Sequence, residues 1–489
     1  MKKIQYKWLA LSATSLGLLL GVMTANALLI ALPDVTADLN APMILVIWVL
    51  MSYLLATTVL VPSIGRVADM IGRKNLFVLG AAVFTVSSLL AGMSQSGTQL
   101  LINRIIQAVG GSLMMANSTA IVTDAFPRGE LGMALGVNGM VLAIGSVLGP
   151  IIGGVLTTLM GWRWVFYINV PFGALVTAWA LFQIRDVAPL PEGEHFDWPG
   201  AITFTAGMFF LLFALTEGGF EGWSSPVVIV SLLLAAVLLP LFVYIESRVE
   251  QPMLDLRLFQ SRILVFAYSS NLMNGIARGA VMFLLIFYLL GIKGMDPFTA
   301  SIYLAPFALT MMVMAPISGR WSDRHGSRVL STVGLLITGI GLLGFTLFTR
   351  VDMSISEVVI WGAVVGVGSG IFNSPNTNTI MSVVPPERRG IAAGTRTMMN
   401  NAGSLLSIAM AFAILSSGLT PEAMNALFIG AQIGSKGILV DVFISDLRLA
   451  FFISFVISMV AAVISYMRGP TPVWGDTVAA PADETMICD

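Results

Sequence analysis

Three arginines, Arg104, Arg278 and Arg396, fall inside stretches that are otherwise strongly apolar. A guanidinium stays charged, and inside a bilayer that charge is expensive, so each is a candidate for a binding or coupling role. The plain alternative is that the side chain carries its head out to an interface. Amides share the setting: Asn26, Asn138, Asn274, Asn376, Asn378, Asn400 and Asn401. In lipid, an amide more commonly hydrogen-bonds a neighbouring helix than a solute. Carboxylates are missing from the same depth. Asp69, Asp124, Glu217 and Glu246 come near the ends of apolar stretches, and His195 and His325 fall between them. There is no H-E-x-x-H, no nucleotide-binding loop and no pair of buried carboxylates, so an enzyme is not indicated. No metal or cofactor is called for. The chemistry on offer is recognition by cations and amides.

The elements that must position these groups follow from composition. The chain has 489 residues, mean hydropathy +0.90, 57% hydrophobic residues and only 10% charged ones. Soluble domains carry about a quarter charged residues, so lipid must be the solvent for most of this chain. A net charge of −1 gives no bulk attraction for nucleic acid. The one cysteine, Cys488, excludes an internal disulfide framework and is misplaced for prenylation. Apolar stretches of about 20 residues read as spanning helices. They are expected near 8–32, 44–64, 76–94, 98–123, 132–157, 164–184, 198–217, 226–246, 263–291, 298–318, 328–349, 355–384, 390–416 and 446–467. The first follows Lys2, Lys3 and Lys7 and ends near Ala25-Asn26-Ala27, which mimics a cleavable signal. Its run is long enough to span, so it reads as a retained helix.

Fourteen spans return the C-terminus to the side of the N-terminus. Most of the 25 lysines and arginines then share that side, and only Arg163, Lys293, Arg350, Lys436 and Arg448 fall opposite. By the positive-inside rule both termini are cytoplasmic, in a multi-pass inner-membrane protein. Residues 185–197 and 247–262 read as polar cytoplasmic links. Residues 417–445 read as an external loop with an amphipathic piece near 421–433, and the Pro/Ala/Asp-rich end as a disordered tail.

One motif occurs twice. Gly65-Arg-Val-Ala-Asp69-Met-Ile-Gly72-Arg73-Lys74 follows the second span, and Gly319-Arg-Trp-Ser-Asp323-Arg-His-Gly326-Ser-Arg328 follows the tenth. Gly65 and Gly319 allow close helix approach, while Gly72 and Gly326 allow a tight turn. Asp69 and Asp323 are placed to accept from a neighbouring helix N-terminus or to pair with an arginine. Duplicated halves related by an axis along the membrane normal are a mark of transporters. The repeat implies an all-α membrane fold of two six-helix halves, 1–184 and 263–467. Residues 185–262 then carry two inserted helices, and 468–489 the tail.

These residues resemble the major facilitator superfamily, and more narrowly its fourteen-span drug:proton antiporter family, from Gly21 to Tyr466. The repeated motif resembles the superfamily's cytoplasmic gate, with Arg73 and Arg328 as its basic ends. Arg104-Ile-Ile-Gln107-Ala-Val-Gly110-Gly111 resembles R-x-x-Q-G-x-G. Gly145-Ser-Val-Leu-Gly149-Pro150-Ile-Ile-Gly153-Gly154 resembles the antiporter motif. Residues 162–173 and 196–200 resemble signatures of the fourteen-span branch. Bottom-up, Gly145, Gly149 and Gly153 give a smooth packing face and Pro150 a bend; the resemblance implies that this face seals the outward path. It also implies a substrate cavity between the halves, reached by Asn26, Asn138, Arg278, Arg396 and Asn400. Proton-coupling candidates are Arg104, Asp124 and Asp34. Thr24 stands where the family usually carries an acid. The expected function is alternating-access export of amphipathic, drug-like compounds in exchange for protons. The alternative is a facilitator or exporter of organic anions or lipids without that coupling, motivated by the excess of buried arginine over acid. Partners are a small-molecule substrate, protons and the bilayer, and the sequence is compatible with a monomer.

Overall fold

In lipid, backbone N–H and C=O groups must be satisfied inside the chain, and helices do this locally. The computed structural model describes residues 6–41, 43–185, 196–249, 252, 254, 260–295, 297–385, 388–418 and 438–469, and these are helical almost throughout with no strand among them. Among the described residues fourteen helices are long and apolar enough to cross a membrane. In chain order they are α1 (Tyr6–Leu39), α2 (Met43–Ile71), α3 (Arg73–Gly92), α4 (Gly97–Ala125), α5 (Leu131–Met160) and α6 (Trp164–Gln183). Then follow α7 (Trp198–Glu221), α8 (Pro226–Glu246), α9 (Arg262–Ile292) and α10 (Pro297–His325). The last four are α11 (Arg328–Phe348), α12 (Ile355–Val383), α13 (Arg389–Gly418) and α14 (Ile438–Met467). The start of α1 and the end of α14 share one face of the bundle, called here the terminal face.

The helices α1–α6 pack among themselves, and so do α9–α14; the two sets meet along α5 with α10 and along α2 with α13. The pair α7–α8 lies over the second seam, with α7 against both α2 and α13. There Ala201, Phe204 and Phe242 join Ile391 and Met398 in one apolar cluster.

The helices differ from the hydropathy reading at the two motifs. Apolar text ends near residues 64 and 318, yet α2 and α10 continue to Ile71 and His325. Asp69 and Asp323 are therefore helical, not in loops. Their helices end only where Gly72 and Gly326 take φ of 103° and 79°, the left-handed region that side chains resist. Polar residues are tolerated there because one side of each extension is buried against the opposite set of helices. At the other end of the chain, α14 begins at Ile438, so Asp446 lies two turns inside a helix rather than at its start. The amphipathic piece near 421–433, His195 and the tail beyond Gly469 lie outside the described residues.

Candidate functional site

On the terminal face the two motifs do the same thing to opposite partners. The first four N–H groups of a helix lack partners within it, and its N-terminus carries partial positive charge, so a carboxylate is favoured there. Asp69, at the end of α2, accepts from Gly390 N (2.9 Å) and Ile391 N (3.0 Å) at the start of α13. Asp323, at the end of α10, accepts from Gly132 N (2.8 Å) and Met133 N (3.1 Å) at the start of α5. Each clamp crosses from one set of helices to the other. The backbones nearly touch: a Cβ on Gly65 would sit 2.4 Å from Gly390 O, and one on Gly319 2.1 Å from Gly132 O.

Around Asp69 the clamp grows into an ionic network. Arg73 donates from Nη2 to Asp69 Oδ1 (2.7 Å) and from Nη1 to Asp124. Asp124 also accepts from Arg389 Nη1 across the seam at 3.2 Å. Around Asp323 the added donor is neutral, Asn378 Nδ2 at 3.1 Å. Arg328 turns away to α14, donating to Tyr466 O (2.8 Å) and lying 4.2 Å from the centroid of the Tyr466 ring. Beside it Arg468 is buried, donating to Asn376 Oδ1 and Ser327 O, both at 3.0 Å. Burial, with Arg328 nearby, lowers the Arg468 pKa to about 9.

Away from the terminal face, beyond these clamps, a chamber of about 400 Å³ lies between the two sets of helices. It is lined from α1, α2, α4, α5, α9, α10 and α13. Among the expected binding residues, Asn26 and Arg278 line it, together with Pro150, Arg104 and the neighbouring Asn401. Arg278 is held there by a break in α9. Ala280 N donates to Ser407 Oγ of α13 (2.9 Å), and a Cβ on Gly279 would meet Ser404 Cα at 2.6 Å. Arg104 is fully buried, with Nε directed to Val49 O (3.3 Å), Nη1 to Gln107 Oε1 (2.6 Å) and its Cζ 4.5 Å above the Tyr53 ring.

The structure does not bring Asn138, Arg396 or Asn400 to the chamber wall. Asn138 accepts from Ser15 Oγ (3.1 Å) closer to the terminal face. The Arg396 backbone carbonyl accepts from Asn271. On α13 the lining residues are Asn401, Ser404 and Ile408. Asn400 and Arg396 share an adjoining stripe about 100° round the same helix. Asp34 is exposed at the far end of α1. Thr24 faces α6, donating to Asn169 Oδ1 at 2.7 Å with both residues buried. The glycine face of α5 packs on α1: added Cβ atoms would lie 3.2 Å from Val22 at Gly145, 2.8 Å from Met23 O at Gly149 and 2.5 Å from Ala27 O at Gly153. Gly154 is half-buried beside it.

Sequence reasoning missed several residues that matter here. Gly132, Gly390 and Arg389 carried a signal, since basic residues precede a glycine at the start of a span in both halves. Tyr53 carried one too, as a hydroxyl in an apolar span needs a partner. Asp38 could be placed only in three dimensions: it accepts from Trp162 Nε1 (3.1 Å) and Arg163 Nη1 (2.5 Å) on the face opposite the termini.

Paired clamps at one face and an enclosed chamber toward the other define a two-set membrane carrier. The model of the Major Facilitator Superfamily matches residues 14–269 and again 266–482, and the chain belongs to that superfamily. It is a multi-pass membrane transporter and not an enzyme. It is 32% identical over 418 residues to the riboflavin transporter RibZ of Clostridioides difficile, covering 85% of this chain and 88% of that protein. It is 31% identical to the multidrug resistance protein Stp of Mycobacterium tuberculosis, covering 84% and 76%. It is 28% identical to the tetracenomycin C resistance and export protein of Streptomyces glaucescens, covering 94% and 91%. Among solved structures, the human organic anion transporter MFSD10 (TETRAN) matches with a TM-score of 0.63 and 14% identity, over 92% of this chain and 99% of that one; this likeness shows the fold.

Proposed function

We propose that this transporter exports amphipathic, drug-like compounds by alternating access, with the halves 1–184 and 263–467 rocking about the chamber. The observation that carries the reading is the pair of reciprocal clamps on the terminal face, which close one end of the path beneath a chamber of drug-sized volume. The basic residues on that face favour a cytoplasmic placement, in an inner membrane with both termini inside. The name of the tetracenomycin C resistance and export protein among the relatives agrees with the direction.

Protons are the proposed counter-ion, and Asp124 is the group best placed for them. It joins Arg73 to Arg389 across the seam, so its protonation weakens both ion pairs and loosens the clamp from the N-terminal half. In reconstituted liposomes with an imposed pH gradient, movement of amphipathic dyes collapses with an uncoupler, and Asp124→Asn slows it about tenfold or more. A second reading, a carrier without proton coupling, is favoured by one observation: the chamber is lined by no carboxylate among the described residues, and Thr24 is engaged with Asn169. Dye equilibration that ignores both gradient and uncoupler decides for it.

A further inference from the structure

Three donors on the chamber wall lack acceptors. Arg104 Nη2, Arg278 Nε and Tyr53 Oη are all buried, and none has a hydrogen-bond partner among the described residues. All three residues line the same 400 Å³ chamber. Two of the three groups carry fixed positive charge, and among the described residues the chamber has no Asp or Glu in its lining to balance them. A buried donor without an acceptor is unfavourable, and a buried cation without an anion more so, so the fold holds this arrangement at a standing disadvantage. Apart from the amides Asn26 and Asn401 and a few hydroxyls, the rest of the wall is apolar: Met51, Leu54, Met115, Met282, Phe283 and Ile286 among others.

We propose that the chamber selects organic anions. The substrate presents a carboxylate, sulfonate, phosphate or enolate oxygen to the free donors of Arg104, Arg278 and Tyr53, and lays an apolar, preferably aromatic, body against the methionine and phenylalanine wall. Arg104 is the fixed element, since Val49, Gln107 and the Tyr53 ring hold it from three sides. Arg278 is the adjustable element, because it stands at the break in α9, where the Ala280 N–H reaches Ser407 Oγ of α13 as well as Arg278 O of its own helix. An anion seated between them touches α4 of one half and α9 of the other. The proposal deepens the export reading and rests on it. The same oxyanion chemistry could belong to a soluble compound or to the headgroup of an anionic phospholipid.

Binding, measured apart from transport, separates the two readings. Carboxyfluorescein and rhodamine 123 share a flat xanthene body and differ in charge, and fluorescence polarization against the full-length protein in nanodiscs gives a Kd for each. The expected result is carboxyfluorescein bound about tenfold or more tighter than rhodamine 123. Arg278→Gln weakens it about tenfold, Arg278→Lys restores part of the loss, and rhodamine 123 stays within about twofold. Tyr53→Phe, which removes one donor and no volume to speak of, weakens carboxyfluorescein about threefold to tenfold. Each variant is first checked by gel filtration and by its unliganded Tm. Rhodamine 123 bound as tightly as carboxyfluorescein, no saturable carboxyfluorescein binding, or Arg278→Gln and Tyr53→Phe both matching wild type overturns the proposal.

Dye efflux from liposomes without anion-selective binding leaves the export reading standing and removes this one; anion binding with no movement of any dye does the reverse. Nanodiscs of phosphatidylglycerol and phosphatidylcholine distinguish the sources. Carboxyfluorescein displaced only by phosphatidylglycerol marks a headgroup as the resident anion, and equal binding in both marks a soluble one.

Discussion

The two copies of the repeated motif use one backbone device and surround it differently. Asp69 and Asp323 each accept two N–H bonds from the start of a helix in the other half. At the first copy two arginines and a second carboxylate add to this, and at the second copy the neutral side chains of Asn378 and Ser374. The reason is a shift in spacing. Arg73 stands four residues beyond Asp69, on the same side of the chain, while the position four beyond Asp323 is Ser327 and the arginine comes one later. Arg328 is thereby swung toward Tyr466, and the buried cation nearby, Arg468, donates from Nη1 and Nη2 to neutral acceptors. Duplication preserved the carboxylate clamp, and divergence surrounded one copy with ion pairs and the other with a neutral amide. Both clamps rest on a carboxylate, and the first adds ion pairs that salt weakens.

The largest contrast is expected from removing the carboxylates. Asp69→Ala leaves two helix N–H groups open and removes the Asp69 ion pair of Arg73, a loss of about 3 kcal/mol; Asp323→Ala leaves the N–H groups and Asn378, a loss of about 1–2 kcal/mol. Thermal unfolding in nanodiscs reads the difference, and labelling of single cysteines on the terminal face reads the opening, in a background where Cys488 is replaced. Equal losses would show that the arginines add nothing. Next in size are the arginines themselves. Arg73→Ala is expected to cost about 2 kcal/mol and to raise terminal-face labelling. Arg328→Ala should cost under about 1 kcal/mol and leave labelling unchanged, because its side chain is engaged with Tyr466 of α14 rather than with the opposite half.

The smallest effect tests the opposite face, where Asp38 ties α1 to the start of α6 within one half. Hydrogen bonds from Arg163 and Trp162 hold its carboxyl below the usual carboxylate range. A depressed pKa contributes stability above the unfolded value near 4, and that contribution fades as pH falls through the folded value. Asp38→Asn should therefore lower the Tm slightly at pH 7, and by progressively less as the pH falls below about 4. Salt should shrink the effect, since both partners are partly exposed.

Much of this architecture can be read from the chain. Fourteen apolar runs and two G-x-x-x-D motifs are local facts, and they led to the helix count and to the capping role of Asp69 and Asp323. Helical phase is not a local fact. Asn400 and Asn401 are neighbours in sequence and read alike as amides in an apolar span, yet only Asn401 lines the chamber. Asn138 is an amide on the right helix at the wrong height. Thr24 is legible as a departure from an expected acid, but its engagement with Asn169 depends on how α6 packs on α1. The ends of α2 and α10 were hidden because hydropathy stops where charge begins, while the helices stop where Gly72 and Gly326 allow them to turn.

The acid-free chamber with its two guanidiniums also has an electrical consequence. At a membrane potential of 100 mV each elementary charge crossing the bilayer is worth about 2.3 kcal/mol, a gradient of roughly fiftyfold. In a cell whose interior is negative, that force drives anions outward and holds cations in. An exporter of cations must work against it, and needs an acid to bring protons in. An exporter of the anions proposed for this chamber runs with it, so voltage adds to the proposed proton exchange, and efflux rises when a potassium diffusion potential is made more negative inside.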